Sequence, residues 1–401
     1  MKKLLLSSLL SSSLLFVNAQ NLPPASVYKF SSIIDSIFKQ DSSPYKYDIA
    51  ASDYLLIGEY QTSLKLFELI NNKDRKIPNK EQTEMILKEF RKTLSGYKSI
   101  SAKQYILQEA KKTSILIVNE SHHKPLHRLF MESLLPELYL QGYTMIGMEA
   151  LYNTETFRDK KYPLLNNGIY IKEPCFGNMI RAALDQGYTL FGYETKRNVN
   201  GKDREIDQAE NIKKVIDQNP NKKMIIYCGY AHAQEDSTHN QWEFAMAERV
   251  KRLTGVNPLT IDQTELMEYA TPEFDNFFRQ TISLDYPAVF IDEKGNAFNR
   301  ANPIGIYDAH VYHPDTKYIN GRPDWLLTNN KKTVAIHDRI TIGFPCLVFA
   351  YKDGEDIEQA IPVDVIELKD KNDTKKLILY KNTRYKILIK NIAGEKQMVQ
   401  L

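Results

Sequence analysis

Four short stretches of this chain end in side chains able to move protons or hold an ion: N-E-S-H-H at 119–123, M-E-A around Glu149, Y-E-T around Glu194 and C-G-Y-A-H-A with His232. Each closes an apolar run, namely SILIVN, YTMIGM, YTLFGY and MIIYCG. Carboxylates and imidazoles gathered in a crevice shielded from water shift one another's pKa toward neutrality, which acid–base chemistry requires. Two chemistries are open. His123, Glu149, Glu194 and His232 could ligate a divalent metal and bring the pKa of its bound water down to about 7. Alternatively, a histidine deprotonates water directly while a glutamate fixes its tautomer. The chain contains no H-E-x-x-H, no G-x-S-x-G and no Gly-rich phosphate loop, so the standard zinc-protease, serine-hydrolase and nucleotide readings lose support.

The elements that must position these groups are legible in the same runs. QGYTMIGME at 141–149 is echoed by QGYTLFGYE at 186–194. Gly142 and Gly187 fit the left-handed residue that ends a helix, and the run that follows enters a buried strand. The phrase is therefore a helix stop plus a strand, with its glutamate where the strand emerges. PLTID at 258–262 is a fifth run, and amphipathic segments near 125–141, 177–186, 204–218 and 241–254 lie between the runs. Continuous apolar strands separated by helices predict an α/β fold: a mostly parallel sheet with helices on both faces. Its carboxyl edge is where open α/β sheets take their ligands. Pro136, inside the segment before the first glycine, predicts a kinked or split helix.

Before the sheet, 20–112 reads as a helical cap, with runs such as EMILKEFRKTL; after it, 331–401 reads as a small all-β domain of strands parted by charged turns. The α/β domain spans 113–330. The connection from Leu151 to Gly177 is long for a compact domain and carries Tyr152, Arg158, Tyr162, Tyr170 and Phe176, the make-up of an aromatic lid. His127 reads as a packing residue near its helix start, with Arg128 similar. His310 and His313, in DAHVYHPD, resemble part of a binding loop with G-R-P-D-W at 321–325, and read equally as surface histidines of an alternating strand.

The order N-E-S-H-H, M-E-A, Y-E-T, R-E-I-D-Q-A-E-N-I at 204–212 and C-G-Y-A-H-A resembles the erythromycin esterase, ChaN and TraB/TIKI superfamily. The resemblance covers roughly 110–265. It implies that Glu120 and His123 form the first cluster, that Glu149 and Glu194 add carboxylates, and that His232 is the second essential imidazole. Arg204 matches the arginine opening the A-E-N-I helix and would pair a glutamate or a substrate carboxylate, and of the adjacent His122 and His123 only one need face the crevice. With Tyr152 and Tyr170 of the lid, His122 and Arg204 are the substrate-side candidates. The family's glycine before the first glutamate is Asn119 here. The implied activity is cleavage of an ester, lactone or amide bond in a small-molecule or peptide substrate, with a divalent metal as the possible cofactor; the alternative is a haem or iron-ligand binding protein of the ChaN-like type.

Composition bounds these readings. At 401 residues, 42% hydrophobic and 26% charged, the chain can bury a sizeable core, and a formal charge of +3 leaves no strong nucleic-acid footprint. The opening MKKLLLSSLLSSSLLFVNAQ has a basic start, an apolar stretch and a V-N-A ending, which predicts a signal peptide cleaved after Ala19 and export without stable membrane insertion. Three cysteines without metal-ligand spacing give no disulfide framework.

Overall fold

The computed structural model describes residues 27–72, 75–236, 242–299, 306–328 and 330–401. The expected signal peptide lies outside the described residues. Among those described, no helix is long and apolar enough to cross a membrane.

The centre is a six-stranded parallel sheet. Its spatial order is Thr189–Gly192, Tyr143–Met148, Lys223–Gly229, Ile115–Glu120, Leu259–Asp262 and Ala309–His310. The alternation of the pleat sends Leu116 and Val118 into one core and Ile115 and Ile117 into another. Helices Pro125–Leu140 and Pro174–Gln186 bury their apolar stripes in the first core, through Phe130, Leu134, Leu138, Met179 and Ile180. Helices Lys202–Gln218 and Met246–Thr254 bury Ala209, Ile212, Met246 and Val250 in the second. The fold is thus α/β with both faces covered, as the apolar runs required.

Gly142 and Gly187 adopt φ of +90° and +100°, the left-handed geometry that the repeated phrase called for. Helix Pro125–Leu140, by contrast, runs unbroken through Pro136. Its apolar face is held against the sheet by Leu134, Leu135 and Leu138, all essentially inaccessible, and this burial outweighs the one hydrogen bond a proline removes.

The C-terminal β region is a four-stranded antiparallel sheet, in the order Asp364–Leu368, Cys346–Lys352, Tyr385–Asn391, Lys396–Gln400, beside the pair Lys331–Val334 and Leu377–Tyr380. Helices Ser31–Gln40 and Lys46–Leu56 pack Ile34, Ala50 and Tyr54 against Leu347, Phe349 and Val365 of that sheet. The next helix, Tyr60–Asn71, reaches the α/β layer, where Phe67 stacks on His123 at 4.1 Å between ring centres. The cysteines are free and buried.

Candidate functional site

Three adjacent strand tips meet at the carboxyl edge: Glu120 ends one strand, Gly229 ends its neighbour, and Glu149 follows the strand on the far side of Gly229. The Gly229 amide donates to Glu149 Oε2 at 2.6 Å. A Cβ added at Gly229 would lie 2.6 Å from His122 Cε1 and Nε2 and 3.1 Å from Glu149 Oε2, so the glycine of C-G-Y-A-H is what lets the imidazole and the carboxylate close over this backbone. Gly229 has φ of −91°, and the cost of a side chain there is steric alone. Gly229→Ala is therefore expected to fold with stability lowered by about 1–3 kcal/mol, read by urea titration, and to displace His122 from Glu120.

The first imidazole in this crevice is His122, not His123. His122 Nδ1 lies 2.9 Å from Glu120 Oε1, and its ring stacks on Tyr170 with 3.8 Å between centres. His123 turns the other way, onto Phe67, and its Nδ1 is buried without a partner. Burial, aided by the charges of His122 and Arg128, lowers the pKa of His123 to about 3. Of the two adjacent histidines between which the sequence left the choice open, His122 faces this crevice and His123 lies outside it: the chain turns directly after Glu120, and Phe67 takes up the second ring.

Behind Glu120 stands Arg128, one face of the sheet contributing the support. Arg128 donates from Nε and Nη2 to the two oxygens of Glu120, both at 2.7 Å, from Nη1 to Glu173 at 2.9 Å, and to the His122 carbonyl at 2.9 Å. Tyr227 adds a hydroxyl donor to Glu120 at 2.8 Å. Burial alone would raise the Glu120 pKa; the Arg128 charge and hydrogen bonds, with His122, bring it down to about 2. Glu120 is therefore a fixed anion that holds His122 Nδ1–H and leaves Nε2 free.

The opposite face supplies the second imidazole. His232, in a short 3-10 turn after Gly229, sets Nδ1 2.7 Å from Glu205 Oε1, off the line of a full hydrogen bond, and stacks on Trp242. Its Nε2 is 3.0 Å from Arg204 Nη1 and 3.5 Å from Glu149 Oε1. Burial would lower the His232 pKa, but the carboxylates of Glu205 and Glu149 outweigh it and raise the pKa above its ordinary value. Arg204 also donates to Glu149 Oε1 at 2.5 Å and to Glu194 at 3.0 and 2.5 Å, and Gln208 donates to Glu194 at 3.2 Å. Burial opposes ionisation of Glu149, yet His232 and Arg204 hold its pKa far below the usual carboxylate range.

The four residues His123, Glu149, Glu194 and His232 do not converge: a guanidinium occupies the centre of the last three, and His123 faces Phe67. Among the described residues, no group of three or more His, Cys, Asp and Glu side chains is arranged to hold a metal ion. Of the lid residues, Tyr170 and Phe176 line the crevice, a cavity of about 10 Å³ shared with Glu120, His122, Glu149, Tyr227 and Cys228. Tyr152 is half-buried, and burial followed by the Glu194 charge raises its pKa. The connection is pinned to the C-terminal region where Leu165 N donates to Gln359 O and Ile361 N to Pro163 O.

His310 and His313 are buried, contrary to the surface reading. His310 is 2.8 Å from Asp262, which ends the fifth strand and also accepts from Asn119 at 2.7 Å; His313 is 3.0 Å from Gln263. Asn119 thus ties the first strand tip to the fifth. Sequence reasoning also missed Glu205, Glu173, Tyr227 and Trp242. Glu205 was adjacent to Arg204 in the quoted R-E-I-D segment, and Trp242 is one of only two tryptophans.

No family model and no curated protein matches the chain. Solved structures similar to parts of it include the type III effector HopBA1, at 11% identity and TM-score 0.28, covering 42% of this chain and 88% of that one. Another is RRSP, a MARTX toxin effector domain from Vibrio vulnificus CMCP6, at 12% identity and TM-score 0.29, covering 69% of this chain and 48% of that one.

Proposed function

We propose that the protein is an exported hydrolase that splits an ester, lactone or amide bond with water activated by histidine. One observation carries the reading: two imidazoles, each with Nδ1 set against a buried carboxylate, flank a single glutamate, Glu149, from the two sides of the sheet. The motif order shared with the erythromycin esterase, ChaN and TraB/TIKI superfamily points the same way.

In this reading His122 Nε2 takes a proton from water as the water oxygen bonds to the carbonyl carbon. Glu120, ionised and pinned by Arg128, balances the imidazolium charge that forms. His232 then gives the proton on Nε2 to the departing oxygen or nitrogen as the bond to carbon breaks, yielding an acid and an alcohol or amine. When neutral, His232 accepts from Arg204 at Nε2; when protonated, its partner on that side is Glu149. Tyr170 and Phe176 exclude bulk water. The space enclosed beside His122 and Glu149 is about 10 Å³, about that of one water molecule.

Purified protein assayed on a panel of aryl esters, lactones and amides is expected to turn over at least one class. His232→Ala should lower that rate by about 10²–10⁴-fold with an unchanged circular dichroism spectrum. Because His232 must be protonated to act as the acid and its pKa is raised, the rate should persist above pH 6.5 before falling on the alkaline side. Absence of turnover across the panel, or turnover indifferent to His232, would rule the reading out.

A further inference from the structure

Behind the helices that hold Arg128 and Glu173 lies a second, larger hollow. It has a volume of about 310 Å³ between helices Pro125–Leu140 and Pro174–Gln186 on one side and the C-terminal β strands on the other, at the lower end of the roughly 300–1,000 Å³ typical of small-molecule sites. Its floor is Glu132, Asn178 and Arg181; Lys352, Tyr380 and Asp185 stand higher on its walls.

The floor groups are not equivalent. Arg181 is consumed by the fold, donating at 2.7 Å to each oxygen of Glu355 and also to the Ile361 carbonyl. Asn178 donates to the Val363 carbonyl at 2.9 Å and accepts from Arg181 at 3.4 Å. Glu132 is different. Its Oε1 accepts from the Tyr380 hydroxyl at 3.1 Å, while its Oε2 is buried with no partner. A buried acceptor left unpaired costs about 1–3 kcal/mol, and more for a charged group, so the position favours a donor brought by something else. Lys352 Nζ lies 5.8 Å from the Tyr380 ring centre and 3.5 Å from Asp185, an acid that is itself 64% exposed. The loosely held ammonium is thus available to a better anion, with a carboxylate short of a donor at the hydroxyl end of the same ring.

We infer that this hollow binds a small zwitterion of the amino-acid or short-peptide class, its ammonium donating to Glu132 and its carboxylate accepting from Lys352. A simple amine would leave Lys352 with its weak partner, and a simple acid would leave Glu132 unsatisfied. Glu132 is one helical turn beyond Arg128, and Glu173 caps the second wall helix through the amides of Cys175 and Phe176. Occupancy therefore braces the two helices that fix Glu120 from behind, independently of whether the crevice turns a substrate over.

The test is calorimetric titration of the full-length protein with alanine and glycylglycine, and with methylamine and acetate as half-ligands. The zwitterions are expected to bind and to raise the melting temperature, and the half-ligands to bind markedly more weakly. Glu132→Gln, which keeps an acceptor for Tyr380, and Lys352→Met, on the accessible wall, should each weaken zwitterion binding by about ten- to a hundredfold. No heat and no thermal shift with either zwitterion, equal binding of methylamine, or affinities unchanged in both variants would overturn the assignment.

Discussion

His122→Ala is expected to reduce turnover by about 10²–10⁴-fold, and His123→Phe to leave it near the wild-type rate. The two residues are neighbours in sequence and opposites in environment. Glu120, an anion with its pKa brought down to about 2, holds His122 Nδ1 at 2.9 Å and so presents Nε2 to the crevice as a base. His123 has its pKa lowered to about 3 by burial, so it is neutral and a weak base at any pH near 7. Phenylalanine at 123 retains the stacking on Phe67 and removes a buried nitrogen that has no partner, which makes the change neutral or slightly stabilising. Rates on whichever substrate class is cleaved, with urea midpoints for both variants, check this. An inactive His123→Phe that remained folded, beside an active His122→Ala, would reverse the assignment of the two rings.

What separates these histidines was not written in the chain. The strands were legible because parallel strands buried on both faces appear as unbroken apolar runs, and the tips followed from where each run met its first charged residue. Beyond Glu120 that rule stops. The strand ends there, so alternation no longer says which side chain faces the crevice, and Phe67, from a helix more than fifty residues earlier, decides it. Arg128 looked like a packing residue on an amphipathic helix; only the fold shows that two carboxylates, from the first strand tip and from the cap of helix Pro174–Gln186, close on it. Glu205 was hidden for a different reason. It follows Arg204 directly, and both can serve one site only because they lie at the start of a helix whose first turn rises above the sheet edge. His310 sits on a two-residue strand, too short to carry a period, and its partner Asp262 is 48 positions away. Contacts of this kind depend on sequence separation that no local pattern records, as the Ser31 amide donating to Glu367 at 3.2 Å also shows.

The same burial that hides Arg128 from the sequence makes it the position where stability should respond most. Arg128→Met is expected to lower the unfolding free energy by about 3–5 kcal/mol, because removing one partner of a buried ion pair leaves the other charge uncompensated. Here one guanidinium, fully inaccessible, serves Glu120, Glu173 and the His122 carbonyl at once. Glu173 keeps other donors in the amides of Cys175 and Phe176 and the Tyr60 hydroxyl, whereas Glu120 keeps, among the described residues, Tyr227 and His122. Adding Glu120→Gln to Arg128→Met should therefore recover part of the loss, a coupling of about 0.5–3 kcal/mol. The pH dependence has a definite sign. The folded pKa of Glu120 is depressed from 4.5 to about 2, so its stabilisation is fully present above pH 4.5 and is lost as pH falls from there toward 2, about 3 kcal/mol in all. In Arg128→Met the opposing effect of burial is no longer cancelled, and this acid-side slope should flatten or change sign. Urea unfolding of wild type and variant across that pH range measures both quantities. A variant as stable as wild type at neutral pH, or one with the same acid-side slope, would show that Glu120 is held as an anion by something other than Arg128, and that the fixed charge behind His122 has another source.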